Sequence, residues 1–134
     1  MAGDLHHLVR NELGIDRPLS VVGHDLCSMV AFAYALRYRD DVVYRELDHD
    51  ADIHRVDIAA HGKLTVPVLA SGGGVQTLAA NYAPMCEEIA IDVTGHLVPD
   101  AGHWVAEENP DYFCRMFIEF DTSARTRRPS RPNH

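Results

Sequence analysis

The chain has 134 residues, of which 46% are hydrophobic, 24% are charged and 7% are aromatic. One soluble globular domain is predicted, because roughly 100–150 residues is the usual size of a single domain. The formal net charge is −8, and the first 124 residues are more acidic still, because four of the twelve basic residues follow Ala124. A body this acidic repels a phosphate backbone, so no nucleic-acid partner is expected.

Neither a membrane span nor a disulfide framework is predicted. No apolar run approaches the roughly 20 residues that cross a bilayer, and the charged N-terminus lacks a signal-peptide core. A cytosolic location without a membrane partner is therefore expected. Three cysteines, Cys27, Cys86 and Cys114, show no CxxC spacing, which favours reduced, mostly buried thiols over a zinc site.

Helical and strand-like segments alternate along the chain. Helical segments repeat their apolar residues at helical spacing, and the strands are short runs rich in Val and Leu. In chain order we predict a helix over 5–13, a strand over 18–22, a helix over 29–38, strands over 42–47 and 64–70, a helix over 75–86, a strand over 92–98 and a helix over 106–120. This alternation predicts an α/β fold with about four parallel strands and helices on both faces.

Two segments depart from this alternation. Residues 49–62 carry three of the nine histidines among scattered acids, and we interpret them as a solvated connection rather than a metal site. Residues 122–134 are rich in Arg, Pro and Ser and are predicted to form a disordered basic tail, which leaves 1–121 as the folded core. Neither a metal nor a cofactor is predicted.

The first candidate site follows the first predicted strand. Gly23, His24 and Asp25 stand between that strand and a hydrophobic helix, the setting of a nucleophile elbow, in which a sharp turn holds a reactive side chain clear of the sheet. Gly23 leaves room for the turn, and the helix N-terminus stabilises a carboxylate. The alternative for Asp25 is a simple helix N-cap.

The second candidate site follows the last predicted strand. His103 stands on a loop after Ala101 and Gly102 and next to Trp104. A histidine in this position can serve as a general base, although a loop histidine by itself is more often a surface residue.

Together, the Val-Gly-His-Asp segment ending at Asp25 and the Gly-His-Trp segment around His103 resemble the α/β-hydrolase superfamily, in its epoxide hydrolase and haloalkane or haloacetate dehalogenase branch. The resemblance runs from about Leu5 to Phe120 and implies Asp25 as nucleophile, His103 as catalytic histidine and the backbone N–H of Leu26 as an oxyanion donor. It also implies an acid that orients the histidine, for which Asp48 is the candidate and Asp50 the rival.

An aspartate nucleophile implies a particular chemistry. A carboxylate that attacks the saturated carbon of an epoxide or a C–halogen bond forms an ester, which water activated by His103 can hydrolyse. The implied substrate is thus a small electrophile. Leu26 stands where many haloalkane dehalogenases have tryptophan, which favours epoxides over haloalkanes.

Several parts of the family have no counterpart in this sequence. They are the early strands, the loop with an HG-type motif that gives the second oxyanion N–H, and the cap with its tyrosines. Cys27 also stands where the elbow pattern has glycine, and its side chain is expected to crowd the turn. The resemblance therefore implies a truncated member of the family.

Two hypotheses remain open. In the first, Asp25, His103 and Asp48 form the triad of a hydrolase. In the second, the chain is a catalytically inert fragment, or an interaction module that pairs with itself or a partner chain through the sheet edge formed by the strand of Val21 and Val22.

Overall fold

The computed structural model describes residues 1–47, 58–75 and 79–127. Its described part contains a four-stranded parallel sheet in the order β1-β2-β3-β4. The predicted α/β sheet is confirmed. The strands are β1 (Leu19–Val22), β2 (Val42–Leu47), β3 (Val68–Gly73) and β4 (Val93–Val98).

α-Helices lie around this sheet, and five of them have both ends in the described residues, while residues 58–61 are also helical. Helix α1 continues as a π-helical segment, Leu8–Glu12, and short 3₁₀ segments precede β2 and α3. The α-helices are α1 (Ala2–His7), α2 (Leu26–Arg37), α3 (Tyr82–Ile89), α4 (Val105–Glu108) and α5 (Pro110–Arg127).

The helices cover both faces of the sheet, as predicted. Successive side chains of a strand point to opposite faces, and β3 shows this directly. Val68 and Ala70 belong to a core that α1, α2 and α3 build, whereas Leu69 belongs to a second core with α4 and α5. Because β3 is fully buried, it joins the two cores.

The predicted third strand begins later than expected. The sequence predicted a strand from Leu64, but β3 starts at Val68. Pro67 explains the shift, because proline has no N–H to donate and restricts the residue before it. Leu64 is still buried and forms an isolated bridge with Ala90.

The last helix is longer than predicted. The sequence predicted disorder from Thr122, but α5 continues to Arg127. Ala124 is buried in the second core. Asp121 accepts a hydrogen bond from Ser20 of β1 at 2.5 Å and one from Arg125 at 2.7 Å. These contacts hold the added turns against the sheet, and residues 128–134 lie outside the described part.

The cysteines are free, but only Cys86 is buried. The expectation of mostly buried thiols is wrong for Cys27 and Cys114, which are exposed. Within the described residues, no helix combines the length and the apolar character that a membrane crossing requires.

Candidate active site

The turn between β1 and α2 holds Asp25 in an unusual backbone conformation. Its φ is 52° and its ψ is −127°, a region that non-glycine residues seldom adopt and that typically costs about 1–3 kcal/mol. Ser28 stabilises the turn, because its backbone N–H and its hydroxyl both donate to the carbonyl oxygen of Asp25, at 2.9 and 2.5 Å. The Asp25 side chain makes no cap hydrogen bond to α2, so the simple N-cap interpretation is not supported.

Gly23 provides the room that this turn needs. A Cβ atom at position 23 would lie 2.6 Å from both the Cys27 carbonyl oxygen and the Ser28 Cα atom. The helix backbone therefore packs directly on Gly23, as the sequence analysis expected. The turn forms with cysteine at position 27, whose side chain is exposed.

The loop of His103 is packed closely against the end of β3. A Cβ atom on Gly73 would overlap the carbonyl oxygens of Ala101 and Gly102. The backbone N–H of Gly74 donates a hydrogen bond to the carbonyl oxygen of Val98 at 2.7 Å. This approach fixes the direction in which the chain leaves β4 and brings His103 to the carboxyl end of the sheet.

Asp25 and His103 meet at this end of the sheet. The Nε2 atom of His103 lies 3.4 Å from Oδ2 of Asp25. The His103 side chain is 39% exposed and that of Asp25 is 55% exposed. The two segments singled out in the sequence are thus adjacent in space, and both reactive groups can be reached from solvent.

His24 links the two segments. Its Nε2 atom lies 2.9 Å from the carbonyl oxygen of His103, within hydrogen-bond distance. The His24 ring centroid is 4.7 Å from that of His103 and 5.2 Å from that of Trp104. The sequence analysis placed His24 at the elbow but did not foresee this contact, which no local pattern indicates.

Glu108 binds the backbone on both sides of His103. Its carboxylate accepts hydrogen bonds from the N–H groups of Gly102 at 2.8 Å and Trp104 at 2.9 Å. These two bonds lower the pKa of Glu108 below its usual range. The sequence analysis missed this residue, although a glutamate in the first turn after a loop is a known capping signal.

The remaining predicted site residues have different outcomes. Leu26 is the first residue of α2, so its N–H belongs to the first turn, where no preceding helix carbonyl is available. Its oxyanion role stays a prediction. Asp48 and Asp50 lie outside the described residues. Across the described ranges, no cluster of three or more His, Cys, Asp or Glu side chains is arranged to hold a metal ion.

A curated relative shares part of this sequence. No protein-family model matches the chain. A soluble epoxide hydrolase from Corynebacterium sp. (strain C12) is 36% identical over 61 residues, which are 46% of this chain and 21% of that protein. The match therefore spans about a fifth of that relative's length.

Solved structures share most of the fold. NosK from Streptomyces actuosus has a TM-score of 0.66 and 21% identity over 90% of this chain and 76% of its own. Proline iminopeptidase from Mycobacterium smegmatis has a TM-score of 0.68 and 15% identity, over 90% of this chain and 70% of its own. Epoxide hydrolase CorEH has a TM-score of 0.69 and 21% identity, over 91% of this chain and 73% of its own. The chain therefore has a partial α/β-hydrolase fold, and the predicted resemblance to the α/β hydrolases, epoxide hydrolases among them, is confirmed.

Proposed function

We propose that the chain is a hydrolase that opens an epoxide or a related small electrophile through a covalent ester on Asp25. The observation that carries this proposal is the 3.4 Å approach of His103 Nε2 to the Asp25 carboxylate, on a turn in which Asp25 has a positive φ. The partial likeness to a soluble epoxide hydrolase adds support.

In the first step, a carboxylate oxygen of Asp25 attacks a ring carbon of the epoxide. The ring C–O bond breaks, and its electron pair stays on the epoxide oxygen, which takes a proton from solvent. The product of this step is an alkyl ester of Asp25. A serine in this position would instead form an ether, which water cannot cleave in the same way.

In the second step, water gives a proton to Nε2 of His103 and adds to the ester carbonyl of Asp25. The Leu26 N–H, at the first residue of α2, is proposed as the donor that stabilises the resulting oxyanion. The intermediate then releases the diol, whose oxygen takes the proton back from His103. The carboxyl group left on Asp25 loses its proton to solvent, which replaces the proton used in the first step and restores the carboxylate. Asp48 is proposed as the acid that orients His103.

The test is turnover of a panel of alkyl and aryl epoxides, with diol formation measured by mass spectrometry. Asp25→Asn is expected to lower the rate by about 1,000-fold or more. His103→Gln is expected to slow ester hydrolysis by about 100–10,000-fold, so that a mass adduct on Asp25 accumulates. Asp48→Asn is compared with Asp50→Asn, and only the first should impair turnover. Absence of diol and of adduct with every epoxide, from folded wild-type protein, would refute the proposal.

A second candidate function is association through the sheet edge. Strand β1 is an outer strand of the described sheet, and Val22 at its end is 45% exposed. Outer strands offer unpaired N–H and C=O groups to another chain. We propose a second copy of this chain as the partner. Light scattering measures the molar mass in solution and therefore tests for this dimer. Val22→Lys should shift a dimer towards monomer, and a wild-type monomer at high concentration would exclude this function.

A further inference from the structure

We propose that Glu108 is a positioning residue that holds the imidazole of His103 opposite Asp25. This inference rests on the proposed function, because it assigns the support for the same catalytic histidine. It arises from the two hydrogen bonds that the Glu108 carboxylate accepts, from Gly102 N–H at 2.8 Å and from Trp104 N–H at 2.9 Å.

These two bonds hold the N–H groups of the residues immediately before and after His103. The carbonyl oxygen of His103 itself lies 2.9 Å from His24 Nε2. The residue is therefore tied down on both sides by side chains from two different segments. A main chain held at three points restricts where the imidazole can lie.

The charge of Glu108 strengthens these two hydrogen bonds, because a bond from an N–H group to an ionised carboxylate is stronger than a bond between neutral groups. The same two bonds lower the pKa of Glu108. The ionised carboxylate is therefore the form that holds the loop of His103.

A simple capping role for α4 makes a different prediction, which the two chemical steps can separate. Alkylation of Asp25 does not need His103 to accept a proton, whereas hydrolysis of the ester does. Loss of fold stability would slow both steps together. Loss of His103 positioning would slow mainly the second step, so that the ester accumulates.

The experiment compares wild type with Glu108→Gln and with Glu107→Gln, a matched control at the neighbouring exposed carboxylate. A glutamine has one acceptor oxygen in place of two and presents an NH₂ group to the other site, so it can keep at most one of the two bonds. Amide hydrogen exchange is expected to accelerate about 10-fold at Gly102, at Trp104 or at both in Glu108→Gln, and at neither in Glu107→Gln. In the NMR spectrum of Glu108→Gln, the contact between His24 and His103 ring protons should weaken.

In the kinetic measurement, Glu108→Gln should slow hydrolysis of the Asp25 ester by roughly 10–100-fold, because a displaced imidazole activates water less well. The rate of alkylation should change by less than about 3-fold, since that step does not need His103 to accept a proton. Unchanged exchange and ring contacts, or equal slowing of both steps, would overturn the inference. If wild type forms no ester with any epoxide, the proposed function fails. The exchange and NMR arms then still decide whether Glu108 holds His103.

Discussion

The imidazole of His103 lies 3.4 Å from the carboxylate of Asp25, although the two residues follow strands on opposite sides of the described sheet. Asp25 follows β1, an outer strand, and His103 follows β4, the other outer strand. Because all four strands are parallel, their carboxyl ends share one edge of the sheet. The loop after β4 then returns across that edge to reach the elbow.

The strained backbone of Asp25 predicts a trade-off between stability and activity. Asp25→Gly should raise the free energy of unfolding by about 1 kcal/mol, because glycine adopts a positive φ without strain, and should abolish ester formation. Asp100 also has a positive φ, 54°, so Asp100→Gly serves as the control. It should stabilise the protein without loss of the reaction. Chemical denaturation measures the free energy of unfolding of both variants. A lower value for Asp25→Gly than for wild type would show that the Asp25 backbone is not strained.

The close packing at Gly23 predicts a steric effect. Gly23→Ala should lower the free energy of unfolding by about 1–3 kcal/mol, because its Cβ would meet the backbone of Cys27 and Ser28 at 2.6 Å. The control is Gly3→Ala in α1, where the nearest atom is 3.9 Å away. That change should stabilise the helix by about 0.5–1 kcal/mol. Equal melting temperatures for the two variants would contradict the described elbow.

The Asp121 contact predicts a pH-dependent stability. Burial alone would raise the pKa of Asp121, but hydrogen bonds from Arg125 and Ser20 outweigh it and lower the pKa. The stabilisation is therefore present above the ordinary aspartate pKa of about 3.9 and is lost as the pH falls through the lower folded value. Asp121→Asn should destabilise the protein by about 1 kcal/mol at pH 7.

The difference in stability between wild type and Asp121→Asn should shrink as the solution is acidified below about pH 4. It is measured by denaturation between pH 7 and about pH 2. Glu119→Gln, at an exposed position of the same helix, is the control and should leave the profile unchanged. A difference that stays constant over this range would show that the carboxylate charge does not stabilise α5 against β1.

Local sequence patterns predicted the layers of the fold but not all of its contacts. The bounds of β2 agree with the prediction because the segment opens with the strand-favouring residues Val42, Val43 and Tyr44. Aspartates stand on both sides of it. The extension of α5 was missed because it depends on Ser20, which is distant in sequence. The pair of Asp25 and His103 was expected only from the family resemblance that the two segments carry together, because each segment alone left a simpler role open. The contacts of His24 and Glu108 with the loop depend on how two segments meet, which periodicity does not encode.

The most direct test of the central claim follows oxygen through a single turnover. Wild-type protein in molar excess over the epoxide is mixed with it in ¹⁸O-labelled water. The masses of the diol and of the peptide containing Asp25 are then measured by mass spectrometry. If Asp25 is the nucleophile and His103 activates water against its ester, the first diol contains no label and the Asp25 carboxylate gains one ¹⁸O. A labelled diol with an unlabelled Asp25 would show that water attacks the epoxide directly and would contradict the account.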